Sequence, residues 1–383
     1  MATELLGKSK NELRRLCAGL GEPAYRGGQI YHALYAERKF DVARITNLPA
    51  ALRERLVREA RITLPVVRRR YASRDRSMRY LFSLPVDADA VDRNLNARDP
   101  EKSRVADQTT KTLPATPASV EAVFMPSAGR QTICVSTQAG CAVDCRFCLT
   151  AQLGLIRNLT PGEILAQVLL PLEEHKAELA PQTNIVLMGQ GEPLLNFEAV
   201  MTALRILLDP DGIGISPKHV TLSTSGIVPG IERLGQESVR PKLAISLNAS
   251  NDEQRNALMP INKKYPLAGL LEACRKYPLR PWEHLTFEYV MLGGVNDAPE
   301  DAQRVVRLLA PLKSVKVNLI PWNPGELPYR ESSADAIEEF RKILVDRGIP
   351  AFVRYSRGRD VMAACGQLAL SSISNISSYT TSS

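Results

Sequence analysis

The pattern of apolar and polar positions changes character twice along the 383 residues. In the first sixty, apolar residues recur at helical spacing. Leu13, Leu16 and Leu20 follow Ser9 and Glu12, a pair that sets up a capping box, and further helical periods run over residues 29–38 and 50–60. These predict a small helical module over residues 1–62. From Thr63 the texture turns to β type, with strands expected at 77–84 and 120–125. Between them, residues 86–118 are polar, interrupted by Asp-Pro and Leu-Pro, and lack a sustained period; a mobile insertion is expected there, inside a β accessory segment spanning 63–128.

A regular rhythm follows. Short β-branched apolar runs occur at 132–136, 184–188, 219–223, 242–247, 285–291 and 315–320, each separated by a stretch of helical period or length. Parallel neighbours need crossover helices, so six strands alternating with helices predict an α/β fold, a partial (β/α)6 barrel over residues 129–368. An open doubly wound sheet is the alternative. A last helical pattern at 334–347 leads into 351–355, and residues 369–383 form a Ser/Thr-rich tail expected to be disordered. In barrels of this kind the working residues gather where strands end and βα loops begin.

Composition narrows the class. With 44% hydrophobic and 23% charged residues the chain is ordinarily globular, which argues against a largely disordered or fibrous protein. No apolar run approaches the roughly 18 residues of a membrane helix, and the polar start lacks a signal-peptide core. A soluble, cytoplasmic protein without a membrane partner is therefore expected. The formal charge is +8, and 18 basic against 8 acidic residues fall before Leu81. Arg68, Arg69, Arg70, Arg74, Arg76 and Arg79 belong to this excess. They suit a phosphate-rich partner or, equally, a solvated basic face.

Cysteine placement points to chemistry. Seven cysteines without a targeting segment suggest reduced thiols. Cys17 and Cys274 sit in helical patterns as buried hydrophobes. Cys141, Cys145 and Cys148 form a C-x3-C-x-Phe-C loop directly after the first barrel strand. Three thiolates on a tight loop can hold three irons of a [4Fe-4S] cluster and leave the fourth iron open. A structural zinc site would want a fourth ligand close by, and none of His32, His175, His219 and His284 is near in sequence.

This loop resembles that of the radical S-adenosylmethionine (SAM) enzymes, in which the open iron chelates SAM and electron transfer releases a deoxyadenosyl radical. Met-Gly-Gln-Gly-Glu-Pro at 188–193 is by itself a turn and the start of a helix. At a strand end behind such a loop it resembles the SAM amino-group site, with Gly191 and Glu192 as the contacts. Ser223, Ser246, Leu247, Asn248 and Asn323 lie at or just beyond further strand ends; as isolated residues they would be helix caps or turn residues.

Taken in order, Gly-Glu-Pro-Leu-Leu-Asn (191–196), Leu-Ser-Thr-Ser-Gly (222–226), Met-Pro-Ile-Asn-Lys-Lys-Tyr (259–265), Asn-Leu-Ile-Pro-Trp-Asn-Pro (318–324) and Ala-Ala-Cys-Gly-Gln-Leu (363–368) resemble the RlmN/Cfr family of RNA adenine methyltransferases. The resemblance implies two SAM molecules per turnover. Cys365 accepts a methyl group from the first. A radical from the second removes hydrogen from that methyl, the carbon radical adds to adenine, and Cys134 resolves the adduct by a disulfide with Cys365. Glu121 matches the family's general base by position. The implied substrates are 23S rRNA and tRNA, methylated at adenine C2, with an electron donor such as flavodoxin. Methylation at C8, or a non-catalytic iron-sulfur RNA-binding protein, are the alternatives. Asn248 stands where many relatives have His and Gln190 where many have Met, substitutions expected to retune SAM contacts.

Overall fold

The computed structural model describes residues 2–85 and 118–368. Residues 86–117, nearly all of the expected insertion, and the tail 369–383 lie outside the described residues. The chain opens with β1 (Thr3–Glu4), α1 (Lys10–Gly19), α2 (Tyr25–Tyr35), α3 (Ala50–Glu59) and β2 (Ala60–Arg61), which pairs in parallel with β1. Ser9 and Glu12 form the reciprocal capping box at the start of α1, which buries Leu13 and Cys17. α2 begins four residues earlier than its periodicity predicts.

The central sheet has ten strands among the described residues. An antiparallel part comprises β3 (Val66–Ala72), β4 (Met78–Ser83), β5 (Ser119–Ser127) and β6 (Arg130–Cys134). A small hairpin, β7 (Gln138–Gly140) with β8 (Leu155–Asn158), brackets the cysteine loop and the short helix α4 (Leu149–Gln152). The parallel part then runs from β6 through β9 (Gln182–Leu187), β10 (Val220–Thr224), β11 (Lys242–Ser246), β12 (Leu285–Met291) and β13 (Val315–Pro321) to β14 (Ala351–Val353). All six strands expected for the barrel are present, and β14 adds a short seventh parallel strand. Among the described residues the sheet does not close on itself, β3 and β14 being its two ends.

Crossover helices flank the sheet: α5 (Pro161–Glu174), α6 (Phe197–Leu208), α7 (Val228–Gln236), α9 (Leu267–Lys276), α10 (Pro299–Leu309) and α11 (Ala334–Asp346), while the short α8 (Asp252–Leu258) lies over the ends of β10 and β11. α5 starts on a capping box, Thr160 with Glu163, and on Pro161, whose fixed φ suits the first helical position. One hydrophobic core runs from Leu13 and Tyr31 in the helical module through Phe124 on β5 to Phe287 on β12 and Phe340 on α11. Polar ties reinforce that continuity, since Tyr31 donates to Asp209 at 2.9 Å and Arg38 pairs with Glu173 at 3.0 Å. Among the described residues, no helix is long and apolar enough to cross a membrane.

β3 carries no strand signal in the sequence because it buries almost nothing. Val66, Arg68, Arg69 and Arg70 are all exposed, and the strand contains a bulge between Val67 and Arg69. Charged side chains on an end strand discourage edge-to-edge pairing with another sheet. The arginine run therefore has a structural use whether or not it also meets phosphates.

Candidate active site

The C-terminal ends of the parallel strands open into a cleft of about 1020 Å³ measured out to its mouth. Cys141, Cys145 and Cys148 line it together with Gly191, Glu192, Ser223, Ser246, Asn248, Asn323 and Cys365. A neighbouring cavity shares Cys148, Met188 and Cys365 with this cleft and adds Cys134. Residues spread over more than two hundred positions thus meet at one rim, as strand-end geometry requires.

The cysteine loop is held from three sides. Trp322 donates its indole N–H to the Phe147 carbonyl at 3.3 Å, and Phe147 packs with Leu258, Met259, Leu292 and Trp322. The Arg146 amide donates to the Leu258 carbonyl at 2.9 Å. The Leu149 amide donates to the Gly366 carbonyl at 2.8 Å and the Thr150 hydroxyl to the Leu368 carbonyl at 2.6 Å, which binds the loop to the segment carrying Cys365. Burial and the neighbouring carboxylate and thiol push Cys141 up to about 12 and Cys145 well above the ordinary thiol range. Thiolates here need a bound cationic partner.

The donor set fits an iron-sulfur cluster. Among the described residues no three His, Cys, Asp or Glu side chains converge on a point the size of one ion; the three sulfurs border a common cleft instead. No histidine lines the cleft. His175, for instance, stacks on Phe124 with ring centroids 4.2 Å apart.

Around the rim, Gly191 adopts φ +99, and a Cβ there would lie 2.5 Å from Gln138 Cβ, so the close turn requires glycine. Glu192 accepts hydrogen bonds from the Ser225 amide and hydroxyl, both at 2.7 Å, and from the Leu194 amide at 3.0 Å. Burial raises its pKa against these bonds. Ser223 and Ser246 face each other with hydroxyl oxygens 3.4 Å apart. Asn323 donates to Ser356 Oγ at 2.9 Å and to the Cys365 carbonyl at 3.3 Å.

Two of the expected rim positions direct their side chains away from the cleft. The Leu247 side chain is fully buried in the main core and does not line the cleft; its backbone alone lies at the strand end. Gln190 is likewise buried away from the cleft, where it accepts from the Glu121 amide at 3.2 Å and donates to the Leu368 carbonyl at 3.3 Å, so its exchange for Met bears on the β5 side of the site. Asn248 does line the cleft, but its amide oxygen accepts from the Val290 backbone at 2.8 Å, a structural duty.

The thiol pair sits at one end of the cleft. Cys134 closes the central strand β6 and packs with Val123, Ala363 and Leu368. Burial, then the neighbouring Cys365 thiolate, push its pKa far above the ordinary range. Cys365 opens into the two cavities, and desolvation there, then the charges of Glu288 and Cys148, push its pKa up to about 11. Glu121 is almost fully buried and lines neither cavity; it accepts a 2.7 Å hydrogen bond from Arg79 Nη1. On β5 it stands two positions from Val123, the cross-strand partner of both Cys134 and Arg79. The three residues therefore share one face of the sheet.

Arg79, expected on a phosphate-facing or solvated basic face, is instead buried and paired with Glu121; Glu288 and Arg255 are buried charges that sequence reasoning did not single out. Glu288 had a signal: it is a carboxylate amid the otherwise apolar run of β12. Its pKa is pushed up to about 7 by burial, against the 2.9 Å hydrogen bond from Asn318. Replacing it by glutamine is expected to lower the Cys365 pKa and speed its alkylation by iodoacetamide severalfold, read peptide by peptide by mass spectrometry. The difference belongs above pH 7, where Glu288 is ionised, and vanishes at lower pH, where its proton removes the charge. Equal rates at pH 8 would disprove the coupling.

The comparisons with known proteins fit this geometry. Residues 135–309 match the profile of the Radical SAM superfamily, and residues 3–62 that of the ribosomal RNA large subunit methyltransferase N-terminal domain. Over 352 residues the chain is 46% identical to the probable dual-specificity RNA methyltransferase RlmN of Koribacter versatilis, covering 91% of this chain and 96% of that one. The chain belongs to the RlmN family. The RlmN of Anaeromyxobacter dehalogenans is 44% identical over 374 residues, covering 96% of this chain and 91% of its own length. A solved radical SAM methyltransferase from Sphaerobacter thermophilus superposes with a TM-score of 0.82 at 39% identity, covering 96% of this chain and 99% of its own. RlmN membership brings a [4Fe-4S] cluster and SAM as cofactors. Cys141, Cys145 and Cys148 are the residues that fit the cluster, and the strand-end rim fits SAM.

Proposed function

We propose that this protein is a radical SAM methyltransferase that methylates C2 of an adenine in 23S rRNA, at the peptidyl-transferase centre, and in the anticodon-loop region of tRNA. One observation carries this reading: two adjoining cavities that share Cys148, Met188 and Cys365 bring together the cysteine triad, the SAM rim and the Cys365–Cys134 pair. Adenine C2 is too poor a nucleophile to take a methyl group from SAM by displacement. When bound, the cluster and SAM supply one-electron cleavage of a carbon–sulfur bond and hence a hydrogen-abstracting radical.

The chain's own residues do the rest. Cys365 gives up its proton and accepts a methyl group on sulfur, the Ser356 hydroxyl favouring the thiolate against the opposing charge of Glu288. After the S-methylene carbon has bonded to adenine, the adduct radical would hand one electron back to the oxidised cluster and lose its C2 proton to Glu121, once that carboxylate leaves its ion pair with Arg79. Cys134 then bonds to the Cys365 sulfur while the sulfur–carbon bond breaks. The electron pair goes to the departing carbon, which takes up a proton and becomes the product methyl group. A reduced flavodoxin-like donor in the cytoplasm would supply electrons. Arg68, Arg69, Arg74 and Arg76, all exposed, would meet RNA phosphates.

Nucleosides from rRNA and tRNA of cells with and without this protein, separated by chromatography and weighed by mass spectrometry, test the reading. Loss of 2-methyladenosine in the deleted strain is expected. Loss of 8-methyladenosine would move the enzyme to the C8 branch, and unchanged nucleosides would overturn the assignment.

A further inference from the structure

Arg255 is fully buried on α8, and among the described residues its guanidinium meets no carboxylate within ion-pair distance. Every contact is to a neutral oxygen. Nε donates to the Leu247 carbonyl at 3.1 Å, Nη1 to Asn262 Oδ1 at 2.9 Å, and Nη2 to the carbonyls of Ser225 at 2.6 Å and Ser246 at 3.1 Å. The link to an acid is indirect, since Asn262 in turn donates to Asp252 at 2.8 Å. Burying a cation among neutral groups is costly, so its retention calls for a use.

The acceptors show where that use lies. The Ser225, Ser246 and Leu247 carbonyls belong to the segments that leave β10 and β11, which place Ser223, Ser246 and Asn248 on the rim. Ser225 also holds Glu192 through its amide and hydroxyl. At Gly226, where φ is +107, a Cβ would come within 3.3 Å of Arg255 Nη2, a measure of how closely the backbone wraps the guanidinium. On its other side α8 ends at Leu258, whose carbonyl receives the Arg146 amide of the cysteine loop, and Met259 lines the cleft beside Cys145. Arg255 stands one helical turn before Leu258, so the hydrogen bond from the Arg146 amide to the Leu258 carbonyl puts the guanidinium on the element that touches the cysteine loop.

We propose that Arg255 is a positioning residue with an electrostatic duty: its planar fork clamps the ends of β10 and β11 at the spacing SAM needs, and its uncompensated charge beside the cysteine loop favours the one-electron-reduced state of the cluster. The proposal rests on the reading of the cleft given above. A lysine cannot replace the fork, because its single ammonium group cannot span acceptors on two strand ends and Asn262; it can replace the charge.

The test uses anaerobically reconstituted wild type, Arg255→Lys and Arg255→Gln. SAM affinity is read from the change SAM makes in the electron paramagnetic resonance spectrum of the dithionite-reduced protein. The reduction midpoint is measured without SAM, and iron content and melting temperature are recorded. Arg255→Lys is expected to keep the wild-type midpoint and bind SAM on the order of tenfold more weakly, the loss of a charged hydrogen-bond set. Arg255→Gln is expected to lose the same affinity and shift to a lower midpoint. An unmoved midpoint in Arg255→Gln overturns the electrostatic duty, and unweakened SAM binding in Arg255→Lys overturns the clamp. If Arg255→Gln takes up no iron, a wild-type melting temperature supports the charge effect and a collapsed one overturns it in favour of a purely structural role. Asn262→Ala, which removes one acceptor and keeps the charge, is expected to weaken SAM severalfold at an unchanged midpoint, and unchanged affinity would count against the clamp. A wild-type spectrum that ignores SAM would instead sink the reading of the cleft, whatever Arg255 does.

Discussion

A Cys134→Ala variant is expected to stay joined to its RNA through Cys365, running as a covalent protein–RNA species on a denaturing gel and completing no second turnover. Cys134 packs against Ala363 and Leu368, on the segment that carries Cys365, and both thiols border one cavity. With the second sulfur gone, the carbon–sulfur bond of the adduct has no partner to open it. Alanine is close to cysteine in size and the site lies at the end of a central strand, so folding is expected to survive. Recovery of free, methylated RNA at the wild-type rate would remove the resolving role from Cys134. A Cys365→Ala variant should form no adduct at all, which separates carrier from resolver.

Glu121→Ala is expected to cost about 3–5 kcal/mol of stability, because it leaves the Arg79 guanidinium buried without its carboxylate. The Arg79 side chain is only 2% exposed, and among the described residues its Nε has no acceptor even with Glu121 present. Its remaining aromatic contact, the Tyr71 ring at 4.2 Å, does not replace an ion pair. Denaturant unfolding of Glu121→Ala, Arg79→Met and the double variant checks this. The double variant should recover much of the loss, since an apolar pair avoids the stranded charge. A double variant as unstable as the sum of the singles would show that the pair is not the cause. The same numbers decide how to read activity: a Glu121→Ala enzyme that fails to turn over tests proton removal only where it is still folded.

The sequence made the parallel strands legible because each is an apolar, β-branched run between helical patterns, and their ends fell within a few residues of the expected positions. The cysteine triad and the rim serines were legible for a related reason: they stand next to those strand ends. Other parts had no local signature. β3 is exposed along most of its length, so no alternation marks it. Arg255 lies within Asp-Glu-Gln-Arg-Asn, which has the composition of a solvated helix face, and its full burial arises only when α8 folds over the ends of β10 and β11. Arg79 and Glu121 find each other across two strands separated by forty-two positions, a pairing that periodicity does not specify. Leu247 follows the end of β11 with its side chain in the core, while its neighbours Ser246 and Asn248 line the cleft.

The two sulfurs also differ in how freely they can travel. Cys134 terminates a strand hydrogen-bonded on both flanks, to β5 and to β9, and is fixed in place. Cys365 rides on an irregular stretch whose backbone passes through positive φ at Met362 and again at Gly366. In the proposed reaction the thiols must finally meet, and that approach would fall to the C-terminal stretch rather than to the strand-bound Cys134.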